Sequence, residues 1–274
     1  MTDHATTYVL GDTSAEHERL IRQACIFEPF TERLLRDAGI GPGQRILDIG
    51  SGVGDVAMLA ARLVGSSGSV VGVERDPTTL AAARSRVASA GLTNVSFIEA
   101  DISDLESREP FDAAVGRLIL EFVPDPGAVV RLLAALVRPG GVMAFQDACW
   151  GPWLQLTAHL PLRSKCASLI YEAFRRSGAN MDMEFVFYRA LADAGLPPPS
   201  MRVDVPVGDD PKIAGWVNDL FHTLAPRMTE QELAASEIGD LETLQSRLEA
   251  ERLRARSFGA CVGLVGAWSR KAGR

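Results

Sequence analysis

Asp48, Gly50, Gly52 and Gly54 stand close together at the end of an apolar run, in the segment ILDIGSGVGD at residues 46–55. Glycines between a strand and a helix let a ligand come close to the backbone. The spacing departs from the G-x-G-x-x-G of dinucleotide-binding loops, because the third glycine falls at 54 and Asp55 follows it. Asp48 lies two residues before the first glycine, where a carboxylate would repel a docked pyrophosphate. It would instead welcome an ammonium group, such as that of methionine. Glu74 ends the next apolar run, about 20 residues past the loop, where an acid can hold both hydroxyls of a ribose. Asp101 follows a third run, in EADISDL at 99–105, and can accept from an adenine amino group with Ile102 against the ring. A lone glycine loop is weak evidence, since glycines also make tight turns, and a lone Glu74 could be a solvated strand end. One acid per strand end, in this order, is a more specific signal and points to a nucleoside with a charged tail.

These residues need a parallel sheet to bring them together. Apolar runs at 45–49, 69–73, 95–99, 111–115 and 141–146 read as strands, with helices near 54–64, 77–90 and 126–137 between them. Asp76-Pro77 is a good helix start and Gly91 a good stop. Continuously apolar strands alternating with helices imply a doubly wound α/β sheet covered on both faces. Thr13 and Glu16 form a capping box at a first helix, and Pro29 suits the first turn of a second helix running to Gly39. A helix near 182–194, a strand at 201–207, helical sequence over 211–256 and a closing strand at 258–269 complete the expected elements. We expect a single domain over 1–274, with a helical cover at 1–40, a ligand-binding core at 41–149, and cap or lid insertions at 150–180 and 211–256.

Composition limits the partners. The formal net charge is −7, with Lys165, Lys212 and Lys271 the only lysines. Without a basic stripe there is little to neutralise a nucleic-acid backbone. Cys25, Cys149, Cys166 and Cys261 lie far apart and read as small buried hydrophobes, and the four histidines lack zinc spacing, so no metal is expected. No apolar stretch reaches 18 residues and no signal peptide is evident, which makes the cytoplasm the default and gives no membrane partner. The preference for arginine over lysine hints at a GC-rich bacterium.

The segments at 46–55, 71–76 (VGVERD), 97–102 (FIEADI), 111–126 (FDAAVGRLILEFVPDP) and 137–145 (VRPGGVMAF) together resemble class I S-adenosylmethionine (SAM)-dependent methyltransferases of the UbiE-like, type 11 small-molecule kind. Tyr8 with Glu16, Arg19 and Gln23 is similar to an N-terminal segment that folds over the cofactor in bacterial members. The resemblance implies a Rossmann-like seven-stranded sheet with its last strand antiparallel. It puts Asp48, Gly50, Ser51 and Gly52 around the methionine and loop. Glu74 with Arg75 would meet the ribose, Asp101 and Ile102 the adenine, and Arg117 the sulfonium end. It also implies release of S-adenosylhomocysteine (SAH).

The acceptor side is less defined. Gln146 and Asp147 end a strand at the ligand-binding edge, and Asp147 could act as a base or simply cap the next segment. His159 and His222 lie in the elaborations, where a lone histidine is more often a packing or surface residue. Glu121 reads as either functional or solvated. Trp150, Trp153, Phe187 and Phe221, with Met181, Met183, Phe185 and Tyr188, suggest a pocket lined for an apolar acceptor, although such spacing also suits plain core. The reaction expected is methyl transfer to O, N or C of a small metabolite, for example in natural-product biosynthesis. Alternatives are an enzyme that uses SAM without transferring its methyl, of the pericyclase or decarboxylase type, a nicotinamide oxidoreductase, and a SAM-binding partner subunit. The stripe of Leu233, Ile238, Leu241, Leu244 and Leu248 would serve a partner, a homodimer contact or the chain's own core.

Overall fold

The first helix runs further than the sequence suggests. In the computed structural model, which describes residues 14–273, α1 (Ser14–Asp37) is continuous, with Pro29 inside it. Proline removes one backbone donor, but Phe27 and Thr31 on either side of it, then Leu34 and Leu35, are all buried and hold the helix through that point. Thr13 and Tyr8 lie outside the described residues.

After α1 the chain alternates as expected through β1 (Arg45–Ile49), α2 (Asp55–Val64), β2 (Ser69–Glu74), α3 (Pro77–Ser89), β3 (Val95–Glu99), β4 (Phe111–Arg117), α4 (Pro126–Leu136) and β5 (Val137–Cys149). Asp76 caps α3, its side chain accepting from the Thr79 amide at 2.6 Å. The same Asp-Pro start opens α4 at Asp125 and α8 at Asp210. β5 begins well before residue 141, because Val137 pairs with Phe111 ahead of a register shift. Next come α5 (Trp150–Thr157), α6 (Pro161–Arg176), α7 (Met183–Asp193), β6 (Ser200–Asp204), β7 (Val207–Gly208), α8 (Pro211–Glu230), α9 (Leu244–Arg254), β8 (Gly259–Ala260) and β9 (Gly263–Arg270). The expected strand at 201–207 is thus two strands, separated by Val205 and Pro206, and the closing strand is also divided.

The main sheet has seven strands in the order β3-β2-β1-β4-β5-β9-β6, and β7 pairs with β8 separately. Neighbours from β3 to β5 are parallel, and β9 lies antiparallel to both β5 and β6. This is the Rossmann-like sheet expected, with the last strand antiparallel. β2 and β3 lie on one side of β1 and β4 on the other, so the order reverses between β1 and β4. Ligands bind outside the carboxyl ends of strands at such a reversal.

Side chains alternate between the sheet's two faces. Ile46, Val70, Ala113 and Val115 pack towards α2, whereas Leu47, Val71, Ala114 and Phe145 pack towards α4 and α7. Phe187 belongs to this second layer, its ring stacked on Phe145 at 6.4 Å between centroids. Helix α7 therefore covers the sheet. Its Phe185 and Tyr188 face solvent, so Phe187 and its neighbours are not substrate wall.

Helices α5, α6, α8 and α9 build a third apolar cluster, joined by Ile26 and Phe27 of α1. Trp153 and Phe221 are fully buried within it, and the Trp153 indole donates to the Ala260 carbonyl at 3.1 Å. Ile238, Leu244 and Leu248 are buried in the same cluster, with Leu233 and Leu241 packed against it. The stripe is spent on the chain's own core, which removes it as a docking face. Cys25 is exposed, contrary to expectation, while the other three cysteines are buried. No described helix is long and apolar enough to cross a membrane.

Truncating Phe187 should leave a cavity between α7 and β5. We expect Phe187→Ala to cost about 3–5 kcal/mol of unfolding free energy, read as a lower urea midpoint with an unchanged slope. A loss under 1 kcal/mol would contradict this packing.

Candidate functional site

A cavity of about 660 Å³ opens at the strand reversal, a size typical of small-molecule sites. Its floor is the turn after β1. Gly50 has φ +56°, and a Cβ there would meet Ile119 Cδ1 at 2.5 Å. Gly52 has φ +52°, with nothing within 4 Å of where its Cβ would be. A side chain at 52 would take up ligand space. Ser51 also lines the cavity, and its buried hydroxyl has no partner among the described residues.

One end of the cavity is lined by Glu74, Arg75, Asp76, Thr79, Asp101 and Ile102. Glu74 spans the loop, Oε2 accepting from the Gly52 amide at 3.1 Å and Oε1 from the Arg75 and Asp76 amides at 2.8 and 3.1 Å. Asp101 accepts from the amide and hydroxyl of Ser103 at 2.8 and 2.7 Å. The Ser103 amide holds the Asp101 carboxyl below the usual range. His17 lines this end too, its Nε2 3.0 Å from Thr79 Oγ1. The sequence offered no motif for His17.

The side wall comes from α1. Arg19 and Gln23 line the cavity; Arg19 forms a bidentate pair with Glu16 at 2.6 and 2.7 Å and donates to Gln23 at 2.7 Å. The Trp216 indole on α8 donates to Gln23 at 3.0 Å, joining cover to cap.

Arg117, at the end of β4, lines the cavity with its guanidinium nearly buried. It donates to Thr31 Oγ1 at 3.1 Å and lies 3.9 Å from Asp55. Burial pulls its pKa down, opposed by Asp55 and Asp48. Asp48 itself does not line the cavity. It sits 1% exposed under the loop, without a side-chain hydrogen bond, although the Ala57 amide favours its charge. Burial pushes its carboxyl up to about 8, against the pull of Arg117. Direct contact between Asp48 and an ammonium is therefore not what this geometry offers.

The other end of the cavity is aromatic and acidic, lined by Glu121, Phe122, Trp150, Phe174, Trp216 and Leu220. Glu121 is buried rather than solvated: it is 2% exposed, and its Oε2 has no partner among the described residues. It sits in a short 3-10 turn, Leu120–Phe122. Asp147 lies behind that turn, its Oδ1 accepting from the Ile119 amide at 2.8 Å. It thus caps the turn and does not reach the cavity. Gln146 is also behind the wall, its Oε1 accepting from Thr31 at 2.7 Å.

Both proposed histidines stand away from the site. His159 is exposed beside Ser257 Oγ at 2.9 Å, and exposed His222 bonds its own helix through the Asn218 carbonyl at 2.9 Å. Each side chain lies on the outer surface of the cap, so neither can reach an acceptor in the cavity. Of the expected pocket aromatics, Trp150 alone lines it; Trp153, Phe187 and Phe221 are core.

The Asp48 carboxyl titrates with a raised pKa when folded and an ordinary one when unfolded. Its contribution to stability is therefore lost as the pH rises from 3.8 towards about 8. Asp48→Asn should remove that loss. The Tm of the variant relative to wild type should climb between pH 5 and pH 8 in scanning calorimetry, whereas a constant offset would contradict the burial of a titrating carboxyl.

Known proteins are similar to this chain in sequence and in fold. A family model described as a methyltransferase domain matches residues 40–187, more than half of the chain. Arsenite methyltransferase of Aquipseudomonas alcaligenes is 38% identical over 113 residues, covering 38% of this chain and 33% of the relative. Ubiquinone biosynthesis O-methyltransferase of Albidiferax ferrireducens is 36% identical over 105 residues, covering 38% of this chain and 40% of the relative. The chain thus matches less than half the length of either. In fold it is similar to the YcgJ protein of Bacillus subtilis, with a TM-score of 0.58 and 17% identity over 90% of this chain and all of that one. With its glycine turn, strand-end acids and antiparallel last strand, the chain belongs to the class I SAM-dependent methyltransferase family.

Proposed function

We propose that this protein transfers the methyl group of SAM to a small, largely apolar acceptor by in-line displacement without a metal. The observation that carries this reading is one continuous cavity, lined at one end by Glu74 and Asp101 and at the other by Trp150, Phe122 and Phe174. The first end suits adenosine: Glu74 for the ribose with Arg75 beside it, Asp101 and Ile102 for adenine, and Gly50, Ser51 and Gly52 for the tail. A cation beside a sulfonium would repel it, so Arg117 suits the ligand's carboxylate, with Gln23 closing over the tail from α1. Asp48 lies beneath the loop as a buried carboxyl that burial keeps largely protonated below about pH 8.

Bound SAM supplies a methyl already activated on sulfonium, so the protein's main task is alignment. Holding two reactants in line can supply roughly 7–11 kcal/mol of the barrier. The aromatic end would exclude water and hold a flat or greasy acceptor. The burial of the 233–248 stripe within the cap counts against a partner-subunit role. Use of SAM without methyl transfer would show as intact SAM beside the product.

Thermal unfolding with saturating SAM, SAH and NADH tests the cofactor. A ligand at 100 times its Kd stabilises by about 2.7 kcal/mol, and a chain of this size gains roughly 2–4 °C per kcal/mol. We expect Tm to rise with SAM and SAH but not with NADH. A rise with NADH alone would instead revive an oxidoreductase.

A further inference from the structure

Among the described residues, two buried carboxylates stand at the acceptor end of the cavity with no cation paired to them. Glu121 lines it and Asp147 lies directly behind, each keeping one buried oxygen, Oε2 and Oδ2, without a hydrogen-bond partner. Two ionised acceptors cannot satisfy each other and they repel, so the pair is relieved when one of them holds a proton. Asp147 also receives the backbone amides of the turn, with Ile119 at 2.8 Å and the amides of Leu118, Leu120 and Glu121 favouring its charge. The shared proton therefore rests on the Glu121 side. Of the other charged groups, Arg117 on β4 is engaged with Asp55 and Thr31 and Asp125 caps α4, while Glu184 on α7 acts on the Cys149 thiol and keeps its own Oε2 unpartnered.

A third unpartnered group lines the same cavity. Trp150 is 3% exposed, and its indole N–H has no acceptor among the described residues. Its ring lies 5.1 Å from Phe174, which lies 5.9 Å from Phe122, making a continuous aromatic wall. A donor and a carboxyl, both unpaired and set among rings, suit a group that accepts one hydrogen bond while giving another. A hydroxyl does both, whereas an ammonium can only give.

We propose that Glu121 is the base that takes the proton of a hydroxyl acceptor carried on a flat apolar molecule, with Asp147 as its positioning partner and Trp150 as donor to the same oxygen. This rests on the methyl-transfer reading above. The acceptor oxygen forms its bond to the methyl carbon as the carbon–sulfur bond breaks, and that electron pair stays on sulfur. The acceptor's proton passes to Glu121, and the proton already shared moves on to Asp147, so the pair ends neutral. Burial and the neighbouring Asp147 hold Glu121 well above the usual carboxylate range, and burial pushes Asp147 up to about 7. A pair that titrates near neutrality suits general-base work.

The test uses the full chain loaded with SAH, and 2-naphthol as the hydroxyl probe, followed by its fluorescence from pH 5.5 to 8.5. In wild type, naphthol should bind more tightly as pH rises through a midpoint near neutrality, and at least about tenfold more tightly than 2-methoxynaphthalene. Glu121→Gln should lose that pH dependence while binding SAH within about twofold of wild type. Asp147→Asn leaves Glu121, the weaker acid of the two, as the group that must ionise, so the midpoint should move to higher pH, which a purely structural role would not do. If wild type binds SAH but discriminates neither the hydroxyl nor the pH, the Glu121 assignment is overturned while the cofactor reading stands. If SAH itself fails to bind wild type, the parent reading fails. An unchanged pH profile in both variants would also overturn the assignment.

Discussion

Charge burial at the carboxyl ends of β1, β4 and β5 is the constraint around which the structure is arranged. Asp48, Glu121 and Asp147 are each no more than 2% exposed, and the Arg117 guanidinium among these strand ends is nearly as buried. Removing ions from water is costly, and apolar replacements are often as stable or more so. A core built for stability alone would not contain these groups. The surrounding elements hold them in place: turn amides face Asp147, Thr31 of α1 receives Arg117, and Asp55 opens α2 beside it. Sheet, cover and first crossover helix must all be assembled before the charges are satisfied.

The cap serves the same constraint from the other side. Its aromatic residues divide between pure core, as Trp153 and Phe221, and cavity wall, as Trp150 and Phe174. Trp216 does both, packing its ring against Trp153 at 5.2 Å while donating to Gln23. Rings that exclude water lower the local dielectric, which strengthens every electrostatic interaction in the cavity. That same dryness is what raises the carboxyls.

Much of this was legible in the sequence because it depends on local rules. Strand–helix alternation, the glycine turn, and the Asp-Pro start of α3 set the order of the core elements and most of their bounds, although β5 is longer at both ends than its apolar run. The place of Glu74 and Asp101 on the cavity wall was legible for the same reason, since each follows its strand directly. The acceptor side was not, because side-chain direction there depends on tertiary packing. Asp147 and Gln146 are adjacent on β5 and so face opposite ways, one to the 3-10 turn and one to α1. Neither reaches the cavity, while Glu121, set on the turn, does. Histidines in the cap looked eligible by type, yet both lie on its outer surface. A Pro29 read as a helix start was overridden by burial on both sides of it.

β9 lies between β5 and β6 and pairs antiparallel with both. During synthesis, β5 and β6 are made well before it and must remain unjoined until it arrives. Each then presents an open edge, a template for mispairing. Strand pairing across such sequence distance is slow to nucleate. Closure of the sheet is thus expected late in folding, and chaperone dependence and inclusion-body formation should respond to sequence changes at 259–270 more than to changes in the glycine turn after β1.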